Sequence, residues 1–238
     1  MVQKSKNDKH IISVVLPCLN EEETLRASIE KAFEGIKRTG CVGEVIVADN
    51  GSKDASAEIG KKAGARVISV SHKGYGSALM AGFQAAKGDV LVMGDSDDTY
   101  DFREIHKLYE VFLTGNDLVS GNRLKGNIDP LAMPFIHRYV GVPVLTLILN
   151  IFFWTNIWDG HCGMRLMSKG AYKKMKLQST GMEFASEMLI RASQVGLKTS
   201  EVPISYGQRH TKSYSKLNTF RDGFRHLWLI FKYAFGMV

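Results

Sequence analysis

Val90-Leu91-Val92-Met93-Gly94-Asp95-Ser96-Asp97 decides the fold: an apolar run of strand character ends in two carboxylates one residue apart. Desolvating an unpaired carboxylate at a buried strand end costs several kcal/mol, so a chain places two there for a reason. A divalent cation removes that penalty, and Mg2+ or Mn2+ is typically held by one or two protein carboxylates together with substrate phosphate oxygens. The competing explanation is local. Asp97, Asp98 or Thr99 could instead cap a helix that begins near Asp101.

Working outward, Ile11 to Leu16 forms another continuous apolar run, followed by Pro17 and Asn20-Glu21-Glu22-Glu23. A helical pattern comes next, with Leu25, Ile29, Phe33 and Ile36 on one face. Glu44 to Ala48 is a second strand, ending in Asp49-Asn50-Gly51-Ser52; Arg66 to Val70 is a third and Asp89 to Met93 a fourth. Continuous β-branched runs alternating with helices predict an α/β fold whose mostly parallel sheet is covered on both faces. Right-handed crossovers then bring the strand ends to one edge, where open α/β sheets bind ligands. Pro17, Asp49, the Lys73-Gly74-Tyr75-Gly76 loop and Asp95 all fall on that edge.

The 238 residues, 45% of them hydrophobic, suit one large domain. Residues 1–10 lack the apolar core of a signal peptide and read as a flexible lead-in. Cys18, Cys41 and Cys162 are too scattered for a disulfide framework or a Cys-x-x-Cys site, and suit a reducing compartment. A net charge of +7 calls for an anionic partner. Cations gather at Lys173, Lys174 and Lys176 and again from Arg209 to Arg225, where they interleave with Tyr214, Phe220 and Phe224. No recognisable nucleic-acid module accompanies them, so no nucleic-acid partner is expected.

Tyr139 to Trp158 is twenty residues without a charge, long enough by count to cross a membrane. Gly141, Pro143, Thr146, Asn150 and Asn156 weaken that reading, and a crossing would separate His161-Cys162-Gly163-Met164-Arg165 from Asp95. Helices lying against the membrane interface, with Trp154 and Trp158 at headgroup depth, are the preferred expectation. A buried helix pair is the alternative.

Leu16-Pro17-Cys18-Leu19-Asn20-Glu21, Val47 to Asp54 and Asp95-Ser96-Asp97 resemble, in order and spacing, the signatures of the inverting family 2 glycosyltransferases with the GT-A fold. Asp159 to Arg165, Glu201-Val202-Pro203-Ile204, Arg209 and Ser213 to Leu217 are similar to the polyprenyl-phosphate subgroup, which includes the dolichyl-phosphate mannose and glucose synthases. The resemblance runs from about Ile11 to Leu217. It implies a nucleotide-binding half over about 11–120, an acceptor half over about 121–217, and a membrane-associated basic-aromatic helix over 218–238. It implies that Pro17, Asn20, Glu21, Asp49, Lys73 and Asp95 bind the nucleotide, with Asp49 accepting from the base. Asp95 and Asp97 would hold the metal, Mg2+ or Mn2+. Arg165, Arg209 and Lys216 would hold phosphates, and Asp97, Asp159, Arg165 and Glu187 would form the catalytic set. Glu183 and Glu187 could orient a substrate hydroxyl or serve as salt-bridge partners.

The chain departs from the family pattern at Asn50, where a second acid is frequent, at Thr99, where mannose synthases often place Gln, and in a basic loop two residues longer before Ser215-Lys216. Relatives often continue into transmembrane helices near the point where this chain stops. The reaction implied is transfer of a hexose from a UDP-glucose or GDP-mannose type donor to a polyprenyl phosphate, on the cytoplasmic face of a membrane. A lipid phosphate is itself a nucleophile and largely ionised at neutral pH, so no strong base is required. Three alternatives stay open: another acceptor, a sugar nucleotidyltransferase, and a non-catalytic scaffold. Against the second, Pro17 to Glu21 stands where a Gly-rich basic signature belongs; against the third, both Asp95 and Asp97 are kept.

Overall fold

A computed structural model describes residues 10–210 and 219–237. The strands are β1 (Ile11–Cys18), β2 (Val42–Asp49), β3 (Arg66–Ser69), β4 (Val90–Met93), β5 (Leu118–Asn122), β6 (Arg165–Ser168) and β7 (Thr199–Pro203). The helices are α1 (Leu25–Arg38), α2 (Ser56–Lys62), α3 (Tyr75–Ala85), α4 (Ile105–Phe112), α5 (Val142–Phe153), α6 (Lys169–Met175), α7 (Phe184–Gln194) and α8 (Thr219–Ala234). One sheet runs in the order β3-β2-β1-β4-β6-β5-β7. All its pairings are parallel except those of β6, which runs against both β4 and β5. The α/β architecture with a mostly parallel sheet is therefore the one the sequence predicts. β6 joins the strands of the N-terminal half to β5 and β7, so one sheet spans both halves.

β1 lies inside the sheet and is buried along nearly its whole length, which is why its sequence is an unbroken apolar run. Its side chains alternate between two cores. Ile12, Val14 and Leu16 pack with Leu25, Ile29 and Ile36 of α1 and with Ile105 and Leu108 of α4. Val15 points the other way, into Leu79 and Phe83 of α3 and Phe184 and Met188 of α7. The α1 stripe is as expected, with Phe33 at its partly buried edge. Cys18 and Cys162 are buried free thiols.

The uncharged stretch becomes a π-helical turn at His137–Gly141 followed by α5. α5 has 12 residues, or roughly 18 Å at about 1.5 Å per residue, against a hydrocarbon core of roughly 30 Å. Trp154, in the left-handed conformation at φ 52°, ends it. Among the described residues no helix is long and apolar enough to cross a membrane. The buried-pair alternative does not fit either: Thr146, Leu149 and Phe153 face the core, while Leu147, Ile151 and Trp154 are 58%, 61% and 87% exposed.

α3 lies so close to β1 that a Cβ on Gly82 would sit 2.2 Å from Val15 Cγ1. In an open helix Gly→Ala is stabilising by up to about 1 kcal/mol. Here the clash is with a stiff β-branched side chain in a filled core. Gly82→Ala should instead destabilise by about 1–3 kcal/mol in urea unfolding. A stabilised variant would contradict this packing.

Candidate active site

Because β1, β2 and β4 are parallel, Pro17, Asp49 and Asp95 emerge at the same edge. Pro17 and Asp95 border a cleft of about 300 Å³. One part of its wall is Pro17, Cys18, Leu19, Glu21, Asn50 and Lys73; the floor holds Tyr75, Asp95, Ser96 and Asp97. The remaining wall is Gly181, Met182, Arg209, Arg221, Asp222 and Arg225.

The acidic segment is tied down on both sides. Ser96 Oγ donates to Pro17 O at 2.8 Å, and Thr24 Oγ1 donates to Ser96 O at 2.9 Å. Asp95 Oδ1 accepts from the Tyr75 hydroxyl at 2.9 Å. Asp97 Oδ1 accepts from Thr99 N at 3.2 Å and Thr99 Oγ1 at 2.6 Å, while its Oδ2 is ion-paired to Arg209. The helix-cap alternative therefore belongs to another residue: Asp101 caps the short 3-10 turn Phe102–Glu104 by accepting from Arg103 N. Gly163 lies over Asp95, where a Cβ would stand 3.0 Å from Oδ2. Burial, and then the charge of Asp97, push Asp95 up to about 7, against the pull of the Tyr75 hydrogen bond and of Arg209. Two carboxylates this close, with oxygen as the only donor atom, suit a hard divalent cation such as Mg2+ or Mn2+.

At the end of β2, Asp49 Oδ1 accepts from Ser52 N at 3.1 Å, which ties it to the turn that follows. Its neighbour Asn50 lines the cleft. The Asn50 amide donates to Val70 O at 3.3 Å and His72 O at 2.8 Å, and its Oδ1 accepts from Gly74 N at 2.8 Å. A carboxylate could not donate to those two carbonyls, so the amide of Asn50 fits this position, where the resemblance leads one to expect a second acid. Lys73 Nζ donates to Asn50 O at 2.5 Å. Asn20, at φ 53°, accepts from Lys53 N at 2.8 Å and donates its own N–H to Ser52 Oγ at 2.9 Å. Glu21 N donates to Ser56 Oγ at 2.9 Å.

Three residues expected to act on substrate are placed elsewhere. Arg165 is fully buried and donates to the carbonyls of Cys162, Ala185 and Gly160 at 3.0, 2.7 and 2.8 Å. It braces the turn before β6 against α7 and offers nothing to a phosphate. Asp159 is fully buried in a two-pronged pair with Arg123, both contacts at 2.8 Å, and also accepts from Arg123 N at 3.0 Å. Burial alone would raise its pKa; the Arg123 charge and hydrogen bonds outweigh that and hold it below the usual carboxylate range. Glu187 is buried and accepts from Gln178 N, Ser179 N and the Tyr233 hydroxyl. It pins the loop before α7 and the side of α8. Lys216 lies outside the described residues. Sequence reasoning put the Tyr75 loop on the ligand edge and noted the cations up to Arg225, but assigned no role to Tyr75, Arg221 or Arg225. Tyr75 had a signal in its place between Gly74 and Gly76 at a helix start; the two arginines had only their charge.

A model of glycosyl transferase family 2 matches residues 13–176. The low-salt glycan biosynthesis hexosyltransferase Agl6 of Haloferax volcanii is 43% identical over 217 residues, 91% of this chain, which spans 52% of that relative's length. The dolichyl-phosphate hexose transferase of the same organism is 31% identical over 89% of both chains. Among solved structures, glucosyl-3-phosphoglycerate synthase from Mycobacterium tuberculosis, in complex with Mn2+, UDP and glucosyl-3-phosphoglycerate, is similar at a TM-score of 0.74 and 25% identity, covering 95% of this chain and 80% of its own.

Tyr75→Phe removes the hydroxyl that orients Asp95 and should weaken Mn2+ binding by about 10–100-fold in calorimetry without unfolding the protein. A divalent ion needs Asp95 deprotonated, and its pKa is pushed up to about 7. Mn2+ affinity should therefore climb by about tenfold per pH unit below that value and level off above it. A flat profile between pH 5 and 8 would assign the ion to other ligands.

Proposed function

The chain belongs to glycosyl transferase family 2, and from that premise we propose that it transfers a hexose from a nucleotide sugar to a polyprenyl phosphate at a membrane surface. The carrying observation is the Asp95, Asp97 and Arg209 cluster at the floor of a cleft whose far wall offers polar groups to a nucleoside. Pro17, Asn20, Glu21, Asp49, Lys73 and Asp95 bind the nucleotide of a UDP-glucose or GDP-mannose type donor. Asp95 and Asp97 hold Mg2+ or Mn2+, and Arg209 holds a phosphate. Lys216 joins it on the strength of the Ser215-Lys216 motif alone.

Breaking the sugar–phosphate bond builds negative charge on the leaving diphosphate. The bound cation supplies a Lewis acid at that point. Arg209 adds a positive charge in the same place, and its planar fork suits phosphate oxygens. Tyr75 and Thr99 keep the carboxylates oriented, so little reorganisation is needed during the reaction. The acceptor phosphate attacks the anomeric carbon without a base, because it is already ionised. This role division needs nothing from Asp159, Arg165 or Glu187 beyond the scaffold they form.

A lipid acceptor is supported by the apolar surface next to the cleft. Val144, Leu147 and Ile151 on α5, Trp228 and Phe231 on α8, and Phe235 just past its end are all exposed, with Phe152 in ring contact with Phe231 at 5.9 Å. Amphipathic helices of this kind lie in the headgroup region, and nearby cations contribute about 1 kcal/mol each on an anionic leaflet. Membrane association on the cytoplasmic face follows from this reading. The hexose transferases among the relatives favour it over a nucleotidyltransferase.

The test is product analysis with polyprenyl phosphate and a panel of labelled nucleotide sugars. EDTA should abolish transfer. Asp97→Asn should lower it more than about a hundredfold, the rate equivalent of losing several kcal/mol of charge stabilisation. The protein should sediment with anionic liposomes and be released in part by high salt. Full turnover in chelator, or no product with any lipid phosphate, would refute the reading.

A further inference from the structure

α8 carries two chemistries on one exposed face. Arg221 and Arg225, one turn apart, line the cleft. Phe224, Trp228 and Phe231 follow at 67%, 55% and 39% exposure. At 3.6 residues per turn these positions fall within an arc of roughly 120°. Asp222, His226 and Ile230 occupy the other side and are buried. His226 Nδ1 meets Ser186 Oγ at 2.7 Å, so α8 is docked on α7 in a fixed rotation.

Resting on the lipid-acceptor reading above, we propose that this face is the acceptor track: Arg221 and Arg225 bind the phosphate of a lipid monophosphate, and Phe224, Trp228 and Phe231 carry its hydrocarbon chain out of the cleft. Three observations combine. The arginines share the cleft with Asp95 and Asp97, so a phosphate held there lies in the same chamber as the reacting diphosphate. Arg225 Nη2 is held by Glu183 Oε1 at 2.9 Å and Arg221 Nε by Asp222 Oδ1 at 3.2 Å; each carboxylate orients a guanidinium that has five N–H donors. Gly181 makes room for the first pair, since a Cβ there would stand 2.7 Å from Arg225 Nη2. Arg221 also sits in the first turn of a 16-residue helix, whose positive end favours an anion.

The amphipathic order of the face is what selects a lipid. A free phosphorylated acceptor would use the two cations and leave the aromatic stripe without a purpose. A lipid phosphate uses both, head in the cleft and tail along α8 toward the membrane. The division also separates two anions that must approach one another, the donor diphosphate on the metal and Arg209, the acceptor phosphate on α8. In the transfer, a lone pair of the acceptor phosphate oxygen forms the bond to the anomeric carbon. The bond from that carbon to the diphosphate breaks, its electron pair leaves with the diphosphate oxygen, and no proton changes hands.

The experiment uses the full chain with Mn2+ and whichever nucleotide sugar it turns over. Three acceptors are compared: a long polyprenyl phosphate in detergent, a short water-soluble prenyl phosphate, and 3-phosphoglycerate. Arg221→Gln and Arg225→Gln should each raise KM for both prenyl phosphates by about tenfold or more, with nucleoside diphosphate binding unchanged in calorimetry. Arg225→Lys should recover part of the loss. Phe224→Ser with Trp228→Ser should raise KM for the long acceptor and spare the short one. Glu183→Gln removes the carboxylate that orients Arg225 but keeps the cation, and should raise acceptor KM by clearly less than Arg225→Gln does. If Glu183→Gln is as damaging as Arg225→Gln, or if the glutamine variants keep a normal KM, the track is overturned while the transferase reading stands. Equal use of 3-phosphoglycerate overturns the lipid selection. A wild-type protein that glycosylates no prenyl phosphate overturns the acceptor reading on which the track rests.

Discussion

Two carboxylates of like charge, side by side at the end of a central strand, set the terms for everything around them. Asp95 and Asp97 are held by hydroxyl donors from Tyr75 and Thr99, and Asp97 also by Arg209. Hydrogen bonds from neutral donors orient a carboxylate without cancelling its charge, and one guanidinium does not balance two carboxylates, so the pair keeps its demand for a cation. The elevated proton affinity of Asp95 is the physical sign of that demand. The parallel pairing of β1 with β2 and β4 then decides what faces the pair, because it delivers the polar residues after each of those strands to the same edge.

The other buried charges do different work. Arg123 with Asp159, Arg165 with three carbonyls and Glu187 with two backbone N–H groups are each fully satisfied inside the protein. Removing one partner from such a pair typically destabilises by about 3–5 kcal/mol, because the remaining charge is left uncompensated. These groups lock the segment before β6, the loop before α7 and α8 into one frame. That frame gives the cleft a wall that does not come from the parallel strands at all.

On that wall the polar and apolar parts of α8 come together. Its buried side is fixed by Asp222, His226 and Ile230, and its aromatic residues meet α5 through Phe152. Apolar area exposed on neighbouring helices beside a cationic cleft is unusual in a protein with no partner for it, since patches of this kind mark interaction surfaces. The 238-residue chain thereby sets a cleft lined by carboxylates and arginines beside an exposed apolar surface within one sheet-based unit.

β1 to β4, the α1 stripe and the edge where Pro17, Asp49 and Asp95 meet were legible in the sequence, because a continuous apolar run and a helical period are local properties of the chain, whereas β5, β6 and β7 were not read as strands. The carboxylate pair was legible too: no packing rule puts Asp95 and Asp97 after an apolar strand. The partners of single charged residues were not. Asp159, Arg165 and Glu187 stand in motif-like surroundings, yet only long-range packing decides whether a charge meets solvent, a carbonyl or Arg123. The same holds for Asn50, whose amide is fixed by carbonyls about twenty residues away, at Val70 and His72. Hydrophobic period is written along the chain. Which polar group faces which is decided by contacts between segments far apart in it, and those exist only once the sheet has closed around β6.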